Sequence, residues 1–271
     1  MKHVARKRFG QNFLHDQQVI NRIISSSAPS MDDVLVEIGP GQAALTRPLQ
    51  ESGAELHLIE LDRDLVARLE KQFSGCSNVS IHSCDALKVN LSDITGGRRC
   101  RLIGNLPYNI STPLIFHVLQ WKDLITDMHF MLQKEVVDRM AAGPGSRTYG
   151  RLSVMTQFRA RVTPLFDVPP ESFSPAPRVT SSIVRLQPLE QAPADAGSFK
   201  NMERVVSAAF SKRRKTLRNS LKELLSAEQI LKAGIDPGQR AEQLSLSQMA
   251  ALARSLPDDA HSGEKSQGNK S

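Results

Sequence analysis

The sequence predicts an α/β fold, a parallel sheet covered by helices, followed by a small all-helical unit. Three observations predict it. Short apolar, often β-branched runs alternate with segments whose apolar residues recur at helical spacing. The first such run, Val34-Leu35-Val36-Glu37-Ile38, stops in the tight turn Gly39-Pro40-Gly41. From Phe199 to Leu256 strand signals fade and the helical period takes over. Strands alternating with helices imply βα units with right-handed crossovers, which bring the carboxyl ends of the strands to one edge, where ligands bind.

The elements follow in order. Residues 17–28 carry apolar residues at helical spacing, and Val34–Ile38 reads as a buried strand. Ala43–Leu49 suits the start of a helix, with Gly53 beyond its end. Glu55–Glu60 is a second strand, Asp64–Phe73 a helix, and Val79–His82 a third strand ending near Asp85. Cys100–Gly104 is a fourth strand, running directly into Asn105-Leu106-Pro107-Tyr108. Thr112–Leu119 is helical and Asp127–Leu132 a fifth strand. The proline-rich stretch Pro164–Pro177 reads as a loop, and Val179–Leu186 as a further strand. Gln187–Ser198, rich in Pro, Ala, Gly and Asp, reads as a linker. The helical stretch beyond it is broken at Gly234-Ile235-Asp236-Pro237, and the polar, Gly/Ser-rich tail is expected to be disordered. The expected organisation is a sheet domain over 1–190, a helical domain over 191–256 and a tail over 257–271.

Composition narrows the class. With 271 residues, 40% hydrophobic and 23% charged, the chain is an ordinary globular one, which excludes collagen-like, coiled-coil and wholly disordered classes. It is long enough to bury a core without disulfide or metal staples. Cys76, Cys84 and Cys100 are odd in number and too widely spaced for a zinc cluster. With no export signal in view, they suggest reduced thiols and a cytoplasmic location. No apolar run approaches the roughly 18 residues of a membrane helix, so no membrane partner is expected. The seven histidines form no catalytic or metal constellation, and no metal is expected.

The charge is less ordinary: 35 Lys+Arg against 28 Asp+Glu give a formal +7. Such a balance favours anionic partners, nucleic acid among them. It concentrates in two clusters, Lys2 with Arg6, Lys7 and Arg8, and Lys212, Arg213, Arg214, Lys215, Arg218 and Lys222. On a helix, residues 214, 218 and 222 share one face, and such a face would track a phosphate backbone.

Four strand ends carry chemistry. Gly39 and Gly41 let a backbone approach a ligand, and Glu60, about 20 residues on, is placed to accept hydrogen bonds from ribose hydroxyls. This pairing suits a nicotinamide dinucleotide as well as S-adenosylmethionine. Asp85, after the third strand, is placed to accept from an adenine amino group, or simply to cap a turn. The most specific feature is Asn105-Leu106-Pro107-Tyr108. An adenine N6 lone pair is delocalised into its ring and is a poor nucleophile. The Asn105 side-chain oxygen and a backbone carbonyl held by Pro107, that of Leu106, would draw on its N–H bonds, and Tyr108 would stack on the base. Alignment and preorganised dipoles would then supply much of the rate.

Together, Arg6-Lys7-Arg8-Phe9-Gly10-Gln11-Asn12-Phe13-Leu14, Val36 to Gly41, Ile59-Glu60-Leu61-Asp62, Gly104 to Ser111, Phe130 to Glu135, Val168 to Phe173, Pro175-Ala176-Pro177 and Arg213 to Asn219 resemble the rRNA adenine N6-dimethyltransferases. The resemblance runs from about Ala5 into the 250s. It implies a Rossmann-like methyltransferase sheet, S-adenosylmethionine as methyl donor, and two adjacent adenosines near the 3′ end of 16S rRNA, in the small ribosomal subunit or its precursor, as acceptors of two methyls each. It implies that Asn12 and Leu14 close over the donor, that Gly39 and Gly41 contact its amino-acid part, and that Glu60 and Asp85 hold its ribose and adenine. Asn105 would lie between donor and amine. Tyr108 and Phe173 would sandwich a flipped adenine, since a base must leave its stack to be modified. Phe173 on its own reads as an ordinary core aromatic.

The chain is expected to act as a monomer, with a further part in small-subunit biogenesis. Competing readings are a ribosome-assembly factor that needs no catalysis and a resistance-type dimethyltransferase of 23S rRNA. A nicotinamide-dependent oxidoreductase is permitted by the glycine turn alone, but it leaves Asn105–Tyr108 and the basic clusters unexplained.

Overall fold

The structure, a computed structural model, describes residues 11–212 and 214–257. These fall into two units, 11–141 with 156–191, and 142–155 with 192–257. The expected boundary near 190 thus misses one excursion: residues 142–155 group with the C-terminal helices. Residues 1–10 and 258–271 lie outside the described residues, and with them the basic N-terminus and nearly all of the expected tail. Among the described residues no helix is long and apolar enough to cross a membrane.

In chain order the elements up to residue 188 are β1 (Phe13–Leu14), α1 (Gln17–Ser27), β2 (Val34–Ile38), α2 (Thr46–Glu51), β3 (Glu55–Glu60), α3 (Arg63–Phe73), β4 (Val79–Ser83), α4 (Leu91–Thr95), β5 (Cys100–Asn105), α5 (Ser111–Val118), β6 (Ile125–Gln133), α6 (Lys134–Ala141), α7 (Arg151–Gln157), β7 (Ala160–Val168), β8 (Phe173–Ser174) and β9 (Ser181–Pro188). Seven strands form one sheet in the order β4-β3-β2-β5-β6-β9-β7. The five from β4 to β6 are parallel. Their near-continuous apolar runs fit strands buried on both faces: β2 and β3 are buried from their second residue onward. The chain lays β2, β3 and β4 outward in one direction and then returns to place β5 on the other side of β2. That reversal is the switch point of an open α/β sheet, where neighbouring crossovers part and leave a crevice. At this point Gly104 lets β5 lie close against the end of β2: a Cβ there would stand 2.4 Å from the Ile38 carbonyl oxygen.

Local signals explain the flanking helices. Asp16 caps α1, accepting from the Gln18 and Val19 amides, and the helix buries Val19, Ile20 and Ile23. Asp62 caps α3 through the Asp64 amide, and Leu65, Leu69 and Phe73 turn inward at helical spacing. Helix α2 begins later than the sequence predicts, because Ala43 takes a left-handed φ of 67° and the glycine turn runs on through residue 45. At the far end of the sheet, buried Asp127 accepts from Arg101 (2.8 Å) and Arg185 (2.8 Å), while Arg101 also reaches Asp33 (3.0 Å). This ties β5, β6, β9 and the loop before β2 together away from the crevice.

The expected parallel sheet holds for five strands and is extended by two more, one read from the sequence as a further strand and one as loop. Strand β9 runs antiparallel to β6, and β7 antiparallel to β9, so the sheet is mixed. Part of the proline-rich "loop" is strand β7. Pro164 is tolerated there because β7 is the sheet edge and its pairing with β9 is irregular between Pro164 and Phe166.

The second unit contains α8 (Phe199–Ala209), α9 (Leu217–Ser220), α10 (Ala227–Lys232) and α11 (Leu246–Arg254), with α8 packed on α11. Ser226 and Ser245 open α10 and α11 with reciprocal capping boxes, Ser226 with Gln229 and Ser245 with Gln248. The single helical face expected for residues 214, 218 and 222 does not form. The Leu217 and Arg218 amides donate to the Gln239 and Pro237 carbonyls, not to a preceding turn, so α9 cannot extend back to 214.

Candidate active site

At the carboxyl edge of the parallel strands lies a cavity of about 340 Å³. It is lined from the ends of β2, β3, β4 and β5 and from the segment 11–14. Its floor is the glycine turn, where Gly39 (φ 69°) and Gly41 (φ 58°) take left-handed conformations that a side chain would resist. The Phe13 ring covers Gly41, leaving a Cβ there only 3.3 Å from two ring carbons.

Glu60 ends β3 facing this turn. Its Oε2 accepts from the Gly41 amide (3.3 Å) and its Oε1 from the Leu61 and Asp62 amides (2.9 Å each). Three of roughly four acceptor positions on the carboxylate are therefore taken, with room for about one further donor. Burial nonetheless raises its pKa, the three amides opposing the shift. Asp62 accepts from the Gln11 side chain at 3.2 Å. Asp85 lines the cavity beyond β4; its Oδ1 caps the Leu87 amide at 3.0 Å.

Glu37 is the residue the sequence did not single out. It lies within β2, 2% exposed, and lines the cavity. Its Oε2 is buried and accepts no hydrogen bond. Burial pushes its carboxyl up to about 8, the nearby Thr46 hydroxyl opposing the shift and the Glu60 charge adding to it. The available signal was an acid inside an otherwise apolar strand, two residues before the first glycine of the turn. Leu61, exposed to 51% beside the cavity, was likewise legible as an apolar residue where a solvated turn was due.

Asn105 ends β5 on the side of the cavity facing away from β3. Its Nδ2 donates to the Asn12 carbonyl at 2.9 Å, leaving Oδ1 without a partner among the described residues. Leu106 is fully buried and its amide donates to the Met131 carbonyl at 3.2 Å, which fixes the chain just before Pro107. Pro107 and Tyr108 line the cavity, and the Tyr108 hydroxyl lies 2.7 Å from Ser181 Oγ. The structure thus gathers Asn12, Leu14, Gly39, Gly41, Glu60, Asp85, Asn105, Leu106, Pro107 and Tyr108 around one cavity. It does not gather Phe173. That side chain is 3% exposed and packs in the core cluster of Leu14, Met131, Val168 and Ile183, because its strand β8 pairs Phe173 with Leu14 of β1. The expected two-sided sandwich is therefore absent here, and of the expected pair only Tyr108 offers its ring to the cavity.

The segment 11–16 crosses the cavity as a strap. Gln11 holds it to Asp62, Asn12 to Asn105, the β1–β8 ladder follows, and the Ser172 hydroxyl donates to Asp16 at 3.0 Å.

These residues fit the donor that the resemblance implies. The volume lies in the range of small-molecule sites, about 300–1,000 Å³. The left-handed glycines provide a close backbone approach. The buried carboxyls of Glu37 and Glu60 beside one another suit a ligand whose positive charge would favour their ionised forms.

Of the expected RNA-binding residues, Lys212, Arg214, Lys215, Arg218 and Lys222 are all exposed in the second unit. Arg6, Lys7, Arg8 and Arg213 lie outside the described residues.

Comparison with known proteins gives concordant results. The model of the family described as "Ribosomal RNA adenine dimethylase" matches residues 2–258. A protein of Methylococcus capsulatus named Ribosomal RNA small subunit methyltransferase A is 56% identical over 256 residues, 94% of this chain and 99% of the relative. Its namesake in Pseudomonas syringae pv. tomato is 54% identical over 258 residues, 95% of this chain and 96% of the relative. Among solved structures, a dimethyladenosine transferase from Plasmodium falciparum superposes with TM-score 0.76 at 24% identity, over 89% of this chain and 95% of that one. The 23S rRNA methyltransferase ErmE does so with TM-score 0.70 at 24% identity, over 90% and 99%. At that identity the two structures show a shared fold.

Proposed function

The chain belongs to the ribosomal RNA adenine dimethylase family, and from that premise we propose that it dimethylates the N6 amines of two adjacent adenosines near the 3′ end of 16S rRNA, in the small subunit or its precursor. S-adenosylmethionine, when bound, supplies an activated methyl group. The chain's own residues do the rest. The backbone at Gly39 and Gly41 receives the donor's amino-acid part, Glu60 takes a ribose hydroxyl in its one spare acceptor position, and Asp85 accepts from the donor's adenine. Asn12 and Leu14 cover the donor.

The observation that carries the reading is Asn105. Its amide nitrogen is committed to the Asn12 carbonyl, so its oxygen is the end available to an incoming amine. Asn105 Oδ1 and the Leu106 carbonyl accept the two N–H bonds of the N6 amine and turn its lone pair toward the donor. Tyr108 stacks on the flipped base. No strong base is required, because the proton can leave after transfer; the work is positioning and preorganised electrostatics. Lys212, Arg213, Arg214, Lys215, Arg218 and Lys222, with Arg6, Lys7 and Arg8, hold the RNA backbone. The protein works as a monomer.

The test is labelled methyl transfer to naked 16S rRNA, naked 23S rRNA and small subunits from cells that lack the modification. Incorporation into small-subunit substrate, lost in Asn105→Ala, is expected. Incorporation into none of the small-subunit substrates overturns the reading; transfer to 23S rRNA alone replaces it with the large-subunit activity.

A further inference from the structure

We infer that Ser181 is a positioning residue of the base site, holding the ring of Tyr108 at the angle on which the target adenine stacks. The inference rests on the reading of Asn105–Tyr108 given above and names a residue outside that segment. Tyr108 sits on the loop after β5, half-buried, and a tyrosine ring there has two side-chain torsions free to turn. The structure fixes the residue at its backbone and the ring at its tip. The Ser111 hydroxyl donates to the Tyr108 carbonyl at 3.1 Å. At the far tip, the phenol oxygen lies 2.7 Å from Ser181 Oγ. Between these anchors the ring lines the cavity.

Ser181 is a rigid anchor. It is fully buried and is the first residue of β9, in register with Gln133 at the end of β6 and with Val168 at the end of β7. The preceding residue is pinned as well, the Thr180 carbonyl accepting from the Lys134 amide at 2.9 Å. Two ladders thus hold a hydroxyl whose side-chain partner, among the described residues, is the tip of Tyr108. A buried serine at the start of a central strand has little packing value. A hydroxyl there is explained by the bond it makes, since a buried polar group without a partner is costly. Strand β9, which runs antiparallel to both its neighbours, is what carries this anchor from residue 181 to the catalytic loop 73 positions earlier in the chain.

The experiment compares wild type, Ser181→Ala, Ser181→Thr, Tyr108→Phe and the double variant Tyr108→Phe/Ser181→Ala on small-subunit substrate. One neutral hydrogen bond corresponds to about fivefold, so Ser181→Ala is expected to lower kcat/KM for RNA by about that factor. Affinity for S-adenosylhomocysteine should stay unchanged, and Ser181→Thr, which keeps the hydroxyl, should restore the rate. The double variant should be no worse than either single one, since both remove the same bond. Tyr108→Phe breaks the bond from the other side, so the inference stays testable should Ser181→Ala fold poorly. The inference falls if wild-type and Ser181→Ala rates coincide, or if the two single effects multiply in the double variant. A wild type that methylates no small-subunit RNA overturns the functional reading instead. In that case the bond itself is read by absorbance titration of the chain's two tyrosines. The signal lost in Tyr108→Phe should move to higher pH in Ser181→Ala, because Ser181 is what opposes the upward push of burial on that phenol.

Discussion

Replacing Glu37 by Gln isolates the electrostatics of the cavity wall. Glu37 is 2% exposed, with one carboxyl oxygen unpartnered, and burial raises it from 4.5 to about 8. The folded chain therefore keeps a proton that the unfolded chain gives up above about pH 4.5. This contribution to stability is present below the unfolded value, shrinks as pH rises, and levels off above the folded value. Each pKa unit is worth about 1.4 kcal/mol, so the shift spans about 5 kcal/mol in full and about 3 kcal/mol by pH 7. Glutamine has the shape of the protonated acid and cannot ionise. The stability of Glu37→Gln minus that of wild type should grow from under about 1 kcal/mol near pH 5 to about 3 kcal/mol at pH 7 and approach about 5 kcal/mol at pH 9. Urea unfolding followed by circular dichroism at the three pH values measures the difference, in which titrating groups that do not interact with Glu37 cancel and only Glu60, coupled to it by charge, does not. A difference that stays flat with pH, or shrinks, would refute the assignment of a proton to Glu37.

Three further outcomes are expected. Gly104→Ala forces a Cβ to within 2.4 Å of the Ile38 carbonyl oxygen, so β2 and β5 must part at the crevice. It should cost at least about 1–3 kcal/mol in urea unfolding and weaken S-adenosylhomocysteine binding, with wild-type values in both as the contrary result. His129 is 3% exposed, and burial pushes it down to about 4 against the pull of Asp127. Its contribution is complete above the free imidazole value of about 6.5 and is lost as pH falls toward 4, about 3 kcal/mol in all. A His129→Gln variant should therefore lose less stability than wild type between pH 7 and 4. Finally, exchanging Lys212, Arg214, Lys215 and Arg218 for Gln should flatten the salt dependence of rRNA binding, by about 0.7–0.9 in slope for each phosphate no longer neutralised; an unchanged slope would remove these residues from the interface.

The parallel half of the sheet was legible because strands buried on both faces read as near-continuous apolar runs, and β2, β3 and β5 do so despite Glu37, His57 and Arg101 within them. Strand β7 was hidden by Pro164, which reads as a breaker in one dimension and is harmless at an irregular sheet edge. The strand-end residues were legible because the spacing of βα units places them together without any knowledge of packing. Glu37 and Ser181 were not. A carboxyl or hydroxyl in a strand acquires meaning only from burial and from what lies across the crevice, and neither is local. Phe173 shows the converse: its motif is recognisable, but the β1–β8 pairing turns the side chain into the core. The basic run 212–222 is visible as charge, whereas its division into a short α9 and irregular turns is set by acceptors at Pro237 and Gln239.

The strap over the cavity has one more consequence. The Asn12 carbonyl, on the segment that lines the cavity, is the acceptor that holds the Asn105 amide. On the proposed reading, raising this segment to release spent donor would also free the amide that orients Asn105, so donor exchange and presentation of the amine would be coupled through that hydrogen bond.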